Sequence, residues 1–168
     1  RSVLLWGPPG SGKSTVGALV ARALGLQFVD TDARRARAHG APTVGALLRS
    51  LGEPSFRALE RAVVRDALRE VETEGPAVLA LGGGALLDRA LRIAALGSAR
   101  VLALGAPVET LAARVRSQQG ALDRPSLDEG PSGRSLEDAL AALLAARADA
   151  YAEVHARVEA SGDAHAVA

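Results

Sequence analysis

One octapeptide constrains this chain more than anything else in it. Gly7-Pro-Pro-Gly-Ser-Gly-Lys13-Ser14 follows an apolar run, Val3–Trp6, and leads into a helically spaced segment, Lys13–Leu24. A glycine-rich turn at such a junction aims successive backbone N–H groups at one point, where they hold phosphate oxygens. The helix that follows adds the positive end of its dipole. Lys13 is expected to reach the β- and γ-phosphates of ATP, with Gly10, Ser11, Gly12 and Thr15 lining the cradle. The Ser14 hydroxyl is a hard oxygen ligand suited to Mg²⁺. The motif demands a strand–turn–helix unit and a nucleotide, but it leaves the acceptor of any transferred group open.

The rest of the chain narrows the surroundings. Its 168 residues fit one domain, 1–168, and 48% hydrophobic residues suffice for a core. Aromatics make up only 2%, so that core must be built from Ala, Leu and Val, with few platforms for stacking nucleic-acid bases. Twenty basic and nineteen acidic side chains nearly cancel, so any anion must be captured locally. Without cysteine there are no disulfides or thiolate metal sites. No apolar run approaches a membrane span, and a strand begins at once with no targeting segment before it. The expectation is a cytoplasmic, monomeric protein with neither nucleic-acid nor membrane partners. Both ends look cut, which fits either a trimmed chain or a domain covalently fused to another.

Short β-type runs alternate with longer helical patterns. Strands are expected at Val3–Trp6, Leu26–Val29, Ala77–Leu81 and Arg100–Leu104, with a fifth near His155–Ala160. Helices are expected from Lys13 to Leu24, where Gly25 is a stop signal, and from a Ser55 cap to Glu72. Further helices begin with Pro107 as first residue, running to Arg116, and from the Ser135–Asp138 capping box to about Tyr151. The stretch Ser117–Gly133 has no apolar period and reads as a mobile lid. Strands separated by helices imply right-handed βαβ units: an α/β fold, with a three-layer α/β/α sandwich around a five-stranded parallel sheet.

In such a sheet, ligands gather at the carboxyl ends of the strands. Three features stand there: Asp30-Thr-Asp32, Phe56-Arg57-x-x-Glu60 and Gly82-Gly-Gly84. Arg57 and Glu60 share a helix face, so Glu60 can orient the guanidinium, whose paired N–H donors suit a carboxylate. Asp32 can accept a proton from an attacking hydroxyl. Asp30 reads either as a turn or cap residue or as a metal ligand. His39, His155 and His165 show no ligand spacing and are read as surface or incidental.

With Arg124-Pro125 in the lid and Arg147-x-x-x-Tyr151 in the late helix, the ordered set resembles the shikimate kinase family from about Val3 to Val158. The resemblance implies a P-loop NTPase fold of the nucleoside monophosphate kinase type and ATP-dependent phosphorylation of the 3-hydroxyl of shikimate. It implies Asp32 as catalytic base and Arg57 and Arg147 as the carboxylate clamp. The substrate ring would lie against Gly82, Gly83 and Gly84. Arg124 would reach the transferring phosphate and Arg116 would lie near adenine. Mg²⁺ would sit among Ser14, Asp30 and Asp32. The chain departs from the family's pattern where Arg34, Arg35 and Ala36 follow Asp32, at Ser126 and at Asp149, and in a shortened C-terminal segment. Rival readings are a related kinase acting on gluconate or a nucleoside monophosphate, and a catalytically silent ligand sensor.

Overall fold

A computed structural model of the chain describes residues 1–118 and 134–168. Five parallel strands are ordered β2-β3-β1-β4-β5. They are β1 (Val3–Trp6), β2 (Gln27–Asp30), β3 (Ala77–Ala80), β4 (Arg100–Gly105) and β5 (Ala156–Glu159). β3 is buried at every position, as a central parallel strand covered on both faces must be. The helices are α1 (Lys13–Leu24), α2 (Thr31–Ala38), α3 (Val44–Leu51), α4 (Glu53–Thr73), α5 (Arg89–Ser98), α6 (Val108–Ser117), α7 (Leu136–Ala152) and α8 (Ala164–Val167).

Leu4, Trp6, Leu79, Leu81 and Val101 meet Val64 and Leu68 of α4 and Leu91 and Ala95 of α5 in one core layer. Leu5, Val78 and Leu104 meet Val16 and Ala21 of α1 in another. The fold class and all five strands agree with the sequence. β1 lies between β3 and β4, so the turn after it opens where chain crossovers diverge, the usual ligand site of an open α/β sheet.

Some boundaries differ. Ser55 does not cap α4: the helix starts at Glu53 behind Gly52, with Pro54 in its first turn, where its missing N–H removes no helical bond. Pro107 is the N-cap of α6 and not its first helical residue. Ser117, expected to open the lid, is the last residue of α6, and the remainder of that expected lid past Gln118, Arg124 and Ser126 included, lies outside the described residues. α2, α3 and α5 carry no element in the sequence reading, because their short, mixed-polarity segments show no sustained period. The Gly25 stop, with its N–H on the Ala21 and Arg22 carbonyls, and the Ser135 cap on the Asp138 N–H stand as expected.

Candidate active site

The turn after β1 wraps toward α1, with Gly10 at φ 77° and Gly12 at φ 85°, backbone that side chains other than glycine rarely adopt. Lys13 Nζ donates to the Gly7 carbonyl at 3.0 Å and the Pro8 carbonyl at 2.8 Å. It thus lies folded over the loop whose N–H groups form the cradle. Beside it, Ser14 Oγ donates to Asp30 Oδ2 at 2.5 Å. Asp30 Oδ1 accepts from the Asp32 and Ala33 N–H groups, both at 3.0 Å. Asp30 is therefore the cap of α2, as one of its two readings had it, and also the partner of the P-loop hydroxyl. A cavity of about 280 Å³ joins Gly10, Gly12, Lys13, Ser14 and Thr15 to Asp30 and Asp32.

A second concavity adjoins it, lined by Asp32, Arg57, Glu60, Gly83, Gly84 and Arg147. Thr31 Oγ1 donates to the Ala80 carbonyl at 3.1 Å and pins the start of α2 to β3, which fixes where Asp32 stands. Arg57 Nη1 donates to Glu60 Oε2 at 2.7 Å, as the helical spacing requires. Burial works most strongly against the Arg57 charge, but the hydrogen bonds and charges of Glu60 and Glu53 together outweigh it and hold the guanidinium above its ordinary pKa. Arg147 of α7 reaches the same wall and has no carboxylate partner among the described residues.

The glycine turn is tightly enclosed. A Cβ on Gly82 would come 2.6 Å from Asp32 Oδ1 and 2.7 Å from Glu60 Oε1, and one on Gly84 would collide with Arg57 Nη1. Trp6 Nε1 and the Tyr151 hydroxyl both donate to the Gly83 carbonyl, at 3.1 and 3.0 Å. Their rings meet edge to face, 4.5 Å apart. Behind the turn, buried Arg92 donates to the Leu86 carbonyl at 2.7 Å and to Glu153 Oε2 at 2.6 Å, tying the turn to the end of α7. The Arg92 hydrogen bond holds the Glu153 carboxyl below the usual range.

Structure and sequence divide at particular residues. Asp32, Arg57, Glu60, Gly82, Gly83, Gly84 and Arg147 converge as expected. Arg116 forks onto Glu137 of α7 at 2.6 and 2.7 Å, and that hydrogen bond lowers the Glu137 pKa. His155 is exposed, as expected, and its Nδ1 accepts from the Val101 N–H at 3.0 Å beside β5. Sequence reasoning passed over Trp6, Arg92 and Arg35. Arg35 is 2% exposed and donates to Asp32 Oδ1 at 2.5 Å. Its spacing of three from Asp32 was the available signal, the same one that paired Arg57 with Glu60. A cavity of about 940 Å³ runs along the open β2 edge, apart from the glycine turn, Arg57 and Arg147.

The family model for shikimate kinase matches residues 9–168. A shikimate kinase of Geobacter metallireducens is 35% identical over 162 residues, covering 96% of this chain and 84% of the relative. One from Salinibacter ruber is 41% identical over 162 residues, covering 94% and 76%. Among solved structures, shikimate kinase from Acinetobacter baumannii in complex with shikimate superposes with a TM-score of 0.83 at 31% identity, covering 97% of this chain and 85% of that one.

Proposed function

The chain belongs to the shikimate kinase family and phosphorylates shikimate at the expense of ATP; on that premise we propose how its residues divide the work. ATP lays its phosphates along the P-loop, and Lys13 leaves the Gly7 and Pro8 carbonyls for the β- and γ-phosphates. Shikimate enters the neighbouring pocket with its carboxylate on Arg57 and Arg147 and its ring against Gly82–Gly84. Its 3-hydroxyl, beside Asp32, attacks the γ-phosphorus. The new O–P bond forms as the bond to the β–γ bridging oxygen breaks, the hydroxyl proton passes to Asp32, and ADP leaves. Arg124 carries the role that the family resemblance gives it, as the cation on the transferring group. Arg116 exchanges Glu137 for the adenine side of the nucleotide.

The donor set fits Mg²⁺ at Ser14 and Asp30, whose Oγ and Oδ2 are hard oxygens already side by side. When bound there the ion offsets charge on the β- and γ-phosphates. Asp32 is assigned to the acceptor and not to the metal, because Arg35 already sets a cation against its carboxylate.

The observation that carries this reading is the convergence of Asp32, the Arg57–Glu60 pair and Arg147 on one glycine turn beside the P-loop. A hydroxylated ring bearing a carboxylate matches that arrangement at both ends. The test is ADP release with ATP and, separately, shikimate, gluconate and nucleoside monophosphates. Turnover with shikimate far above the others is expected. Equal or greater turnover with gluconate or a nucleotide, or none with any acceptor, would reject the assignment.

A further inference from the structure

Gly82 lets two carboxylates approach each other. Asp32 Oδ1 and Glu60 Oε1 both lie within 2.7 Å of the point that a Cβ on Gly82 would occupy. Like charges so close repel unless a cation stands with them. Arg35 is that cation. Its Nη2 is 2.5 Å from Asp32 Oδ1 and its Nη1 is 3.6 Å from Glu60 Oε1. The guanidinium lies over the Phe56 ring, 4.2 Å from the centroid, and Arg57 stands 5.4 Å from the same ring. Glu60 passes the connection on through its other oxygen, which accepts from Arg57 at 2.7 Å.

The cation is expensive to keep there. Among the described residues, Arg35 Nε is buried without a hydrogen-bond partner. Burying a charge costs desolvation, and an unmet donor adds to it. Relief of the repulsion between Asp32 and Glu60 offsets that cost, and the contact with Asp32 points to a role in the chemistry as well.

We propose that Arg35 is a positioning residue for the phosphoryl-transfer step: it occupies Oδ1 of Asp32, leaves Oδ2 to receive the acceptor's proton, and links that carboxylate through Glu60 to the Arg57 clamp. This rests on the assignment of Asp32 as base and Arg57 as clamp. Asp32, Arg35, Glu60 and Arg57 set two carboxylates against two guanidiniums, Glu53 meets Arg57 from the exposed side, and Arg147 stands across the pocket to face the substrate carboxylate. Removing Arg35 both frees Asp32 to rotate and leaves the pocket one charge more negative.

The test compares Arg35→Met and Arg35→Lys in the wild-type and Asp32→Asn backgrounds, with thermal melting beside steady-state kinetics. In Arg35→Met, kcat falls about ten- to hundredfold, the scale of a small misplacement of a reacting group, and KM for shikimate rises. KM for ATP stays near wild type, while the melting temperature falls because Asp32 and Glu60 lose their shared cation. Arg35→Lys restores the charge and recovers part of the loss. In the Asp32→Asn background the further fall in kcat disappears, because the group that Arg35 positions is gone. Should Arg35→Met not fold, Arg35→Lys carries the same comparison of backgrounds. Wild-type kcat in the folded variant overturns the proposal, as does an equal loss in both backgrounds. Absence of shikimate turnover in the unmutated protein would instead reject the functional assignment, so the two failures are separable.

Discussion

In the proposed phosphate cradle, the ligand-facing groups are backbone N–H groups of the contiguous turn after Pro8 and Pro9, which have none, with the Lys13 and Ser14 side chains added at the start of α1. In the acceptor pocket they are side chains from α2, α4 and α7 gathered around the turn after β3. The cradle's lysine rests on its own loop, whereas Arg35 and Arg57 of the pocket are held by carboxylates and an aromatic ring. The two struts behind them differ likewise. Arg92, 7% exposed, ties the glycine turn to Glu153, while Arg116, 49% exposed, ties α6 to Glu137. A backbone site tolerates a charge that moves, whereas Arg35 and Arg57 are each fixed by a carboxylate. The first should therefore lose chemistry when Lys13 is removed, and the second should lose geometry when a paired member shifts.

The largest effect expected is at Lys13. Lys13→Ala lowers kcat by about 10³-fold or more, as for removal of a group that stabilises transition-state charge, and leaves the circular dichroism spectrum unchanged. Near-normal turnover in the folded variant would remove the cradle from the chemistry. Gly82→Ala is next. Its methyl group meets Asp32 and Glu60 together, so kcat falls about 10²-fold through misplacement, with KM for ATP little altered. If both Michaelis constants move equally, the two regions are not separate.

Arg57→Lys follows. A point charge cannot both keep Glu60 and fork onto a carboxylate, so KM for shikimate rises roughly ten- to hundredfold, matching about 1.5–3 kcal/mol for a charged hydrogen bond. Steady-state kinetics with each substrate varied in turn would show the ATP term unmoved.

The smallest effects separate the struts. Glu153→Gln should lower the melting temperature at pH 7 more than Glu137→Gln, because its arginine is buried. Arginine hydrogen bonds depress both carboxyls from 4.5. Each therefore contributes stability in full above the unfolded carboxylate pKa and loses it as pH falls through the lower folded value. Melting curves of wild type and variant should converge in acid, and a gap that widens there would reverse the sign of the argument.

What was legible in the sequence follows the same division. The cradle is contiguous, so its motif fixed both the loop and the flanking β1 and α1. Arg57 and Glu60 were legible because helical spacing alone makes them neighbours. Trp6 was not, since its bond to the Gly83 carbonyl spans 77 positions and depends on β1 lying beside β3. Arg35 was read only as a departure from the family's pattern after Asp32; that it is buried under Phe56 and beside Glu60 depends on how α2 packs on α4 and is not visible in a run of arginines. Ser55 has the chemistry of a cap, but Gly52 and Pro54 start the helix earlier.

The central claim, that the acceptor pocket is built by its own side chains independently of the phosphate cradle, is tested most directly by calorimetry of shikimate binding without nucleotide. Wild type, Lys13→Ala and Arg57→Lys would be titrated side by side. The account predicts saturable binding in wild type, the same Kd within about twofold in Lys13→Ala, and Kd at least about tenfold weaker in Arg57→Lys. No binding to wild type without nucleotide, or a loss in Lys13→Ala as large as in Arg57→Lys, would contradict it.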